Sequence, residues 1–204
     1  GGGGGPLVVD ASKWHFVFAD ERCVGLEHKD SNFRALKEHV LDSEVLQGVS
    51  LDNVLAINPD MVGDPEQAAH DYQERLKLLF PNEVNGFPPF DLVLLGMGED
   101  GHTCSLFPGH PLTSYSGPSW VLSLTDSPKD PPNRITLTMA TVKAGATIAF
   151  IVTGIGKADA VRDIFNHSNS KSLPAGQVVN RSGQAIWYLG PDLSKLDFKS
   201  KTDT

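Results

Sequence analysis

The stretch that most constrains this chain runs from Asp91 to Gly109, Asp-Leu-Val-Leu-Leu-Gly-Met-Gly-Glu-Asp-Gly-His-Thr-Cys-Ser-Leu-Phe-Pro-Gly. Four consecutive apolar residues, Leu92, Val93, Leu94 and Leu95, predict a parallel strand buried on both faces. The chain then turns abruptly polar and glycine-rich, and that edge is where open α/β sheets keep their chemistry. Gly96, Gly98 and Gly101 let a ligand approach the backbone, while Asp100 and His102 are delivered to the same strand end. A histidine beside a carboxylate at that position is a candidate general base.

Two nucleotide-binding readings fail on what surrounds them. Gly96-Met-Gly-Glu-Asp-Gly101 matches the dinucleotide fingerprint, but the third glycine of that motif must open a helix, and Pro108, Gly109, Pro111, Gly117 and Pro118 interrupt one. Gly154-Ile-Gly-Lys157 follows the apolar strand Ala146 to Thr153, which reads as strongly buried, and leads into a helix through Ala160, Val161, Ile164 and Phe165. Strand, glycine turn, lysine and helix suit a phosphate. It is not the triphosphate loop, because Ile151 stands where the first glycine belongs and Ala158 where a magnesium-holding Ser or Thr would be.

The remaining elements alternate. Lys13 to Ala19 predicts a strand ending in the charged turn Asp20-Glu21-Arg22. Ser31 and Asn32 cap a scaffold helix through Phe33, Leu36, Val40 and Leu41. Val54 to Ile57 is a short strand, and Pro65 opens a helix to Phe80 with Ala68, Ala69, Tyr72, Leu76 and Leu79 inside. Trp120 to Thr125 is a strand, Ser127-Pro-Lys-Asp-Pro-Pro132 a turn, and Asn133 to Thr138 a segment in which Ile135, Leu137 and Met139 alternate with polar residues. Leu173-Pro-Ala and Ala185 to Leu189 supply the last loop and strand.

At 204 residues with 40% apolar content the chain can bury one core, and no low-complexity linker divides it, so a single domain over residues 1–204 is expected. Residues 1–5, all glycine, are set aside as linker or unassigned chain, and residues 193–204 read as a polar tail with few anchors. A net charge of −8 argues against nucleic acid or an anionic membrane as partner, so an anionic substrate needs a local basic cluster. Cys23 and Cys104 form no disulfide framework or zinc spacing, and no run approaches the roughly 18 apolar residues of a membrane span. A soluble, cytoplasmic protein is the expectation.

Alternating strands and helices imply a layered α/β fold whose strand ends meet along one edge. That edge collects Asp20-Glu-Arg22, Asp100, His102, Arg134 and Lys157: cations around a glycine cradle, beside acid-base groups. Phe-Ala-Asp-Glu-Arg-Cys-Val with its later Ser-Asn, the Gly96 to Gly109 motif, Arg-Ile-Thr-Leu-Thr, Gly-Ile-Gly-Lys-Ala and Leu-Pro-Ala together resemble the 6-phosphogluconolactonase family from Trp14 to Leu189.

The resemblance implies a three-layer α/β/α sandwich around a largely parallel sheet, shared with glucosamine-6-phosphate deaminases. It implies hydrolysis of 6-phospho-D-glucono-1,5-lactone in the oxidative pentose phosphate pathway, with no metal or organic cofactor. By it, His102 is the general base on water, Asp100 holds its ring, and Arg22 stabilises the oxyanion. Asp20 orients Arg22 or a sugar hydroxyl, Gly98 and Gly101 cradle the substrate, and Arg134 and Lys157 hold the phosphate. Glucose-6-phosphate dehydrogenase is the implied functional or fused partner. The family's first strand and its serine-glycine-glycine turn have no counterpart before Trp14, so an N-terminal part of the protein is expected beyond this sequence. A deaminase is the nearest rival, but Leu106-Phe-Pro108 stands where its motif runs on to an acid. A non-catalytic sugar-phosphate sensor is the other, and it would have little use for His102.

Overall fold

The structure, a computed structural model, describes residues 9–42, 46–166 and 172–196. The glycine run at 1–5 and the end of the tail from 197 onward lie outside the described residues.

It is a mixed α/β fold with mostly parallel strand pairs. Strands β1 (Val9–Asp10) and β4 (Leu46–Gln47) pair in parallel, as do β2 (Phe16–Val17) and β5 (Val54–Leu55). Strands β6 (Leu92–Leu95), β9 (Thr147–Val152) and β10 (Ile186–Leu189) form a parallel sheet in the order β10-β9-β6. Strands β3 (Asp20–Arg22), β7 (Val121–Leu124) and β8 (Arg134–Leu137) form an antiparallel sheet in the order β3-β8-β7. The helices are α1 (Asn32–Leu36), α2 (Pro65–Leu79), α3 (Met139–Lys143), α4 (Ala158–Phe165) and α5 (Pro174–Gln177). No described helix is long and apolar enough to cross a membrane.

Helix α2 shows how local sequence builds the frame for the site. The Asp64 carboxylate caps it by accepting from the backbone N–H groups of Glu66 and Gln67, each at 3.1 Å, and Pro65 occupies the first position, where no N–H is needed. Ala68, Ala69, Tyr72 and Leu76, spaced by one, three and four, are buried. Burial of a side chain such as Leu76 contributes about 1.5–3 kcal/mol. The Tyr72 hydroxyl accepts from Phe18 N–H at 2.8 Å and donates to its carbonyl at 3.2 Å, so the helix fixes the backbone two residues before Asp20.

Several expectations change. Asp20 to Arg22 is not a turn at a strand's end but a strand, paired antiparallel with Arg134 to Thr136. The alternation around Ile135 does not mark a half-exposed strand. All four residues of β8 are buried, because Thr136 spends its hydroxyl on the Leu137 carbonyl and on Ser105 N–H. The scaffold helix at Ser31 is a short α-helix that widens into a π-helical turn over Lys37–Leu41, and of its apolar residues only Phe33 is buried. Leu193, assigned to a loose tail, is fully buried in the core, and Leu196 packs against it.

The largest change concerns β6 and β9. Val93, Leu95, Ile148, Phe150 and Val152 are buried on the face where Phe150 stacks on Trp187 and Phe165 of α4 meets the same ring. On the other face Leu92 is 51% exposed, Leu94 57% and Ile151 54%, with Ile186 and Tyr188 beside them. The run is apolar on both faces, as its residues dictate, but among the described residues only one face is covered. Among the described residues β6 pairs only with β9, and β2 only with β5.

Candidate active site

The strand ends meet as expected. A cleft of about 400 Å³ is lined by Asp20 and Arg22 from β3, Gly98 and His102 beyond β6, Arg134 from β8 and Lys157 beyond β9. Asp100 and Gly101 do not line it; they act from behind. Gly96, read in the sequence together with Gly98 and Gly101, lines it too, and five further lining residues went unassigned: Asn32, Met97, Cys104, Lys129 and Asp130. Four cationic side chains and two carboxylates thus face one cleft in a chain of net charge −8.

The loop after β6 is folded to present one ring. Gly98 N–H donates to the His102 carbonyl at 2.9 Å, Gly101 N–H to the Gly98 carbonyl at 3.1 Å, and the Thr103 hydroxyl to the Gly96 carbonyl at 2.8 Å. A Cβ on Gly98 would overlap the His102 ring and the Asp100 carboxylate, so only glycine leaves the ring its place. Gly101 has φ +79°, and its Cα faces the Leu173 side chain, while Ala175 N–H donates to its carbonyl at 3.0 Å. The Leu-Pro-Ala loop therefore clamps the histidine loop, a contact that nothing in the local sequence spells out. The two glycines shape the site through the backbone, and Gly98 also lines the cleft.

Asp100 Oδ1 lies 2.5 Å from His102 Nδ1 and 3.3 Å from the His102 backbone N–H. An ionised carboxylate only accepts, so Nδ1 carries the proton and Nε2 keeps the lone pair. Burial pushes the His102 pKa below the usual 6.5, and Asp100 opposes this without reversing it. Burial acts to raise Asp100, but the hydrogen bond and charge of His102 outweigh it and leave that carboxyl below its usual range. Both shifts favour a neutral histidine on an ionised aspartate near pH 7, the protonation state of a base. The Phe107 ring, centred 4.6 Å from that of His102, packs against it.

The other wall is built on Glu21. Fully buried, its carboxylate accepts from the backbone N–H groups of Arg22, Asn32 and Phe33, each at 2.8 Å, and from the Ser31 hydroxyl at 3.3 Å. Burial pushes its pKa up against these donors. Glu21 thereby ties the start of α1 to β3 and sets Arg22 and Asn32 in the cleft wall. Arg22 Nη1 donates to the Asp30 carbonyl at 2.6 Å, and its Nε–H is buried with no acceptor among the described residues. Asp20 accepts from the Ser105 hydroxyl at 2.7 Å and lies 4.0 Å from Arg134 Nη1. Arg134 is 3% exposed, and burial, followed by the Arg22 charge, pulls its pKa down. Lys157 closes the 3₁₀ turn Ile155–Lys157 that leads into α4.

His110, by contrast, is structural. Its Nδ1 accepts from Leu112 N–H at 3.3 Å and its Nε2 lies 3.1 Å from Asp126.

Comparison with known proteins shows the family and the fold. Residues 4–187 match the family model described as glucosamine-6-phosphate isomerases/6-phosphogluconolactonase. A rice protein named probable 6-phosphogluconolactonase 4, chloroplastic, is 41% identical over 200 residues, which are 94% of this chain and 60% of that protein. The 6-phosphogluconolactonase of Homo sapiens is 37% identical over 185 residues, 91% of this chain and 69% of that protein. The solved 6-phosphogluconolactonase from Trypanosoma cruzi superimposes with a TM-score of 0.75 at 26% identity, covering 89% of this chain and 71% of that one. The chain thus spans about three fifths of the length of the rice relative. Fold, motifs and family model coincide, and the chain belongs to the glucosamine-6-phosphate isomerase/6-phosphogluconolactonase family.

Proposed function

We propose that the protein hydrolyses 6-phospho-D-glucono-1,5-lactone to 6-phosphogluconate. The observation that carries this reading is His102, its Nδ1 held by the Asp100 carboxylate, in a cleft that Arg22, Lys129, Arg134 and Lys157 also line. His102 Nε2 takes a proton from water, and the hydroxide so formed attacks the lactone carbonyl carbon. Arg22, held through its Nη1 by the Asp30 carbonyl, stabilises the oxyanion that develops there. Collapse of the tetrahedral intermediate breaks the bond to the ring oxygen, which takes the proton back from the imidazolium. One water is consumed, and an alcohol and a carboxylic acid appear. Lys157, with Arg134 in the wall, supplies positive charge for the 6-phosphate. The lactone is the oxidation product of an aldose phosphate, which makes glucose-6-phosphate dehydrogenase the functional partner in this reading.

The test is lactone hydrolysis by the whole protein, with the spontaneous rate subtracted, beside ammonia release from glucosamine 6-phosphate. Lactone hydrolysis that His102→Ala abolishes, with folding and phosphosugar binding retained, supports the reading. Ammonia release faster than lactone hydrolysis overturns it in favour of a deaminase, and a wild type inactive on both substrates leaves a binding domain.

A further inference from the structure

The turn between β7 and β8 reads in the sequence only as a proline-rich connection, yet it brings a cation to the His102–Asp100 pair. Lys129 Nζ lies 3.9 Å from Asp100 Oδ1, the same oxygen that holds His102 Nδ1. The lysine lines the cleft, its side chain is 45% exposed, and that long ion pair leaves its ammonium available to a ligand.

The turn is held from beneath by Arg134. Arg134 Nε donates to the Pro131 carbonyl at 2.9 Å, and Nη2 donates to the carbonyls of Lys129 at 2.9 Å and Asp130 at 3.1 Å. Its Nη1 reaches the Ser105 hydroxyl at 3.4 Å, and its guanidinium carbon lies 5.8 Å from the centre of the Phe107 ring. The Ser127 hydroxyl donates to the Lys129 carbonyl at 2.8 Å and accepts from Lys129 N–H at 3.2 Å, closing the turn from within. Three consecutive carbonyls therefore occupy the planar fork that a phosphate would otherwise use.

We propose that Lys129 contacts the substrate at the His102 end of the cleft, where the C1 carboxylate forms, and that Arg134 is a positioning residue for the Lys129 turn instead of a direct ligand of the phosphate. The inference rests on the lactonase reading and divides the cations by position: Lys129 for the reacting end, Lys157 for the phosphate end. It also explains why an arginine is spent on backbone carbonyls within a substrate cleft.

Competitive inhibition of wild-type lactone hydrolysis by 6-phosphogluconate, gluconate and inorganic phosphate tests the division. Hydrolysis by the wild type is measured first, so failure of the lactonase reading shows itself separately. Lys129→Ala, at an exposed turn, is expected to weaken inhibition by 6-phosphogluconate and gluconate by the same factor, about ten-fold, and to leave phosphate unchanged. Lys157→Ala is expected to weaken 6-phosphogluconate and phosphate but not gluconate. Arg134→Lys keeps the charge but loses the fork, so it should reproduce the Lys129→Ala pattern and add nothing to it in the double variant. Weakened phosphate inhibition in Lys129→Ala overturns the proposal, as does unchanged inhibition by all three compounds. If Arg134→Lys retains wild-type inhibition, or its effect adds to that of Lys129→Ala, the positioning role is overturned. Lys129→Ala decides the substrate contact even if the arginine variant does not fold.

Discussion

His102 shows how much of a residue's chemistry its neighbours decide. Its ring accepts a proton from water only when neutral, so activity should fall as pH drops through a pKa that burial holds below 6.5. Asp100 raises that pKa, so Asp100→Asn should move the acidic limb of kcat to still lower pH. It should also reduce the plateau, because an amide does not enforce the tautomer with Nε2 free. A kcat–pH profile checks both, and a limb that moves upward would remove Asp100 from the pair. For Arg22→Ala a loss of about 10²-fold or more in kcat is expected from the missing oxyanion donor, with only part of it restored by Arg22→Lys. Single-turnover hydrolysis beside thermal unfolding separates this from a merely structural hydrogen bond to the Asp30 carbonyl, whose loss would cost about 1.5–3 kcal/mol of stability and leave turnover near normal. Residue identities at this scale were legible from Asp20 to Lys157, because acid, base and cation chemistry belongs to side-chain type. Lys129 was not, since a lysine between prolines reads as a solvated turn until Arg134 is seen beneath it.

Elements differ in how far their sequence describes them. Helix α2 carries its own boundaries in Asp64, Pro65 and Pro81, and the structure keeps them within a residue or two. The loop after β6 also carries its constraint locally: Gly98→Ala should displace the His102 ring and lower kcat by about 10²-fold, as for other losses of a positioned base, while the core stays folded. Near-normal turnover with an unchanged pH profile in Gly98→Ala would show that the ring has room after all. Strand β3 is the opposite case. Asp20-Glu-Arg22 has no apolar residue to announce a strand, and its pairing comes from Arg134 to Thr136, more than a hundred residues later. A carboxylate such as Glu21 enters the interior only because Arg22, Asn32 and Phe33 turn their N–H groups on it.

Across the whole molecule, a chain of net charge −8 gathers Arg22, Lys129, Arg134 and Lys157 around one cleft, so the attraction for a phosphorylated anion that the proposed function requires is local and open to screening. Raising ionic strength from about 0.01 M to 0.3 M should increase KM about three-fold or more with little change in kcat, because the Debye length falls from about 30 Å to below 8 Å. A KM indifferent to salt would place the phosphate on the backbone of the Gly154 turn and α4 instead. The sequence by itself determined the α/β class, the chemical cast of the site and the strand end that carries it, since periodicity, glycine turns and side-chain chemistry are local properties. It did not determine which faces are covered: Leu92 and Leu94 are as apolar as Val93 and Leu95, and only packing distinguishes them. Nor did it say that Arg134 would be bonded to the carbonyls of a turn. That follows from where distant carbonyls lie, and the tertiary structure alone decides it, because a guanidinium binds whichever oxygens the fold brings within reach.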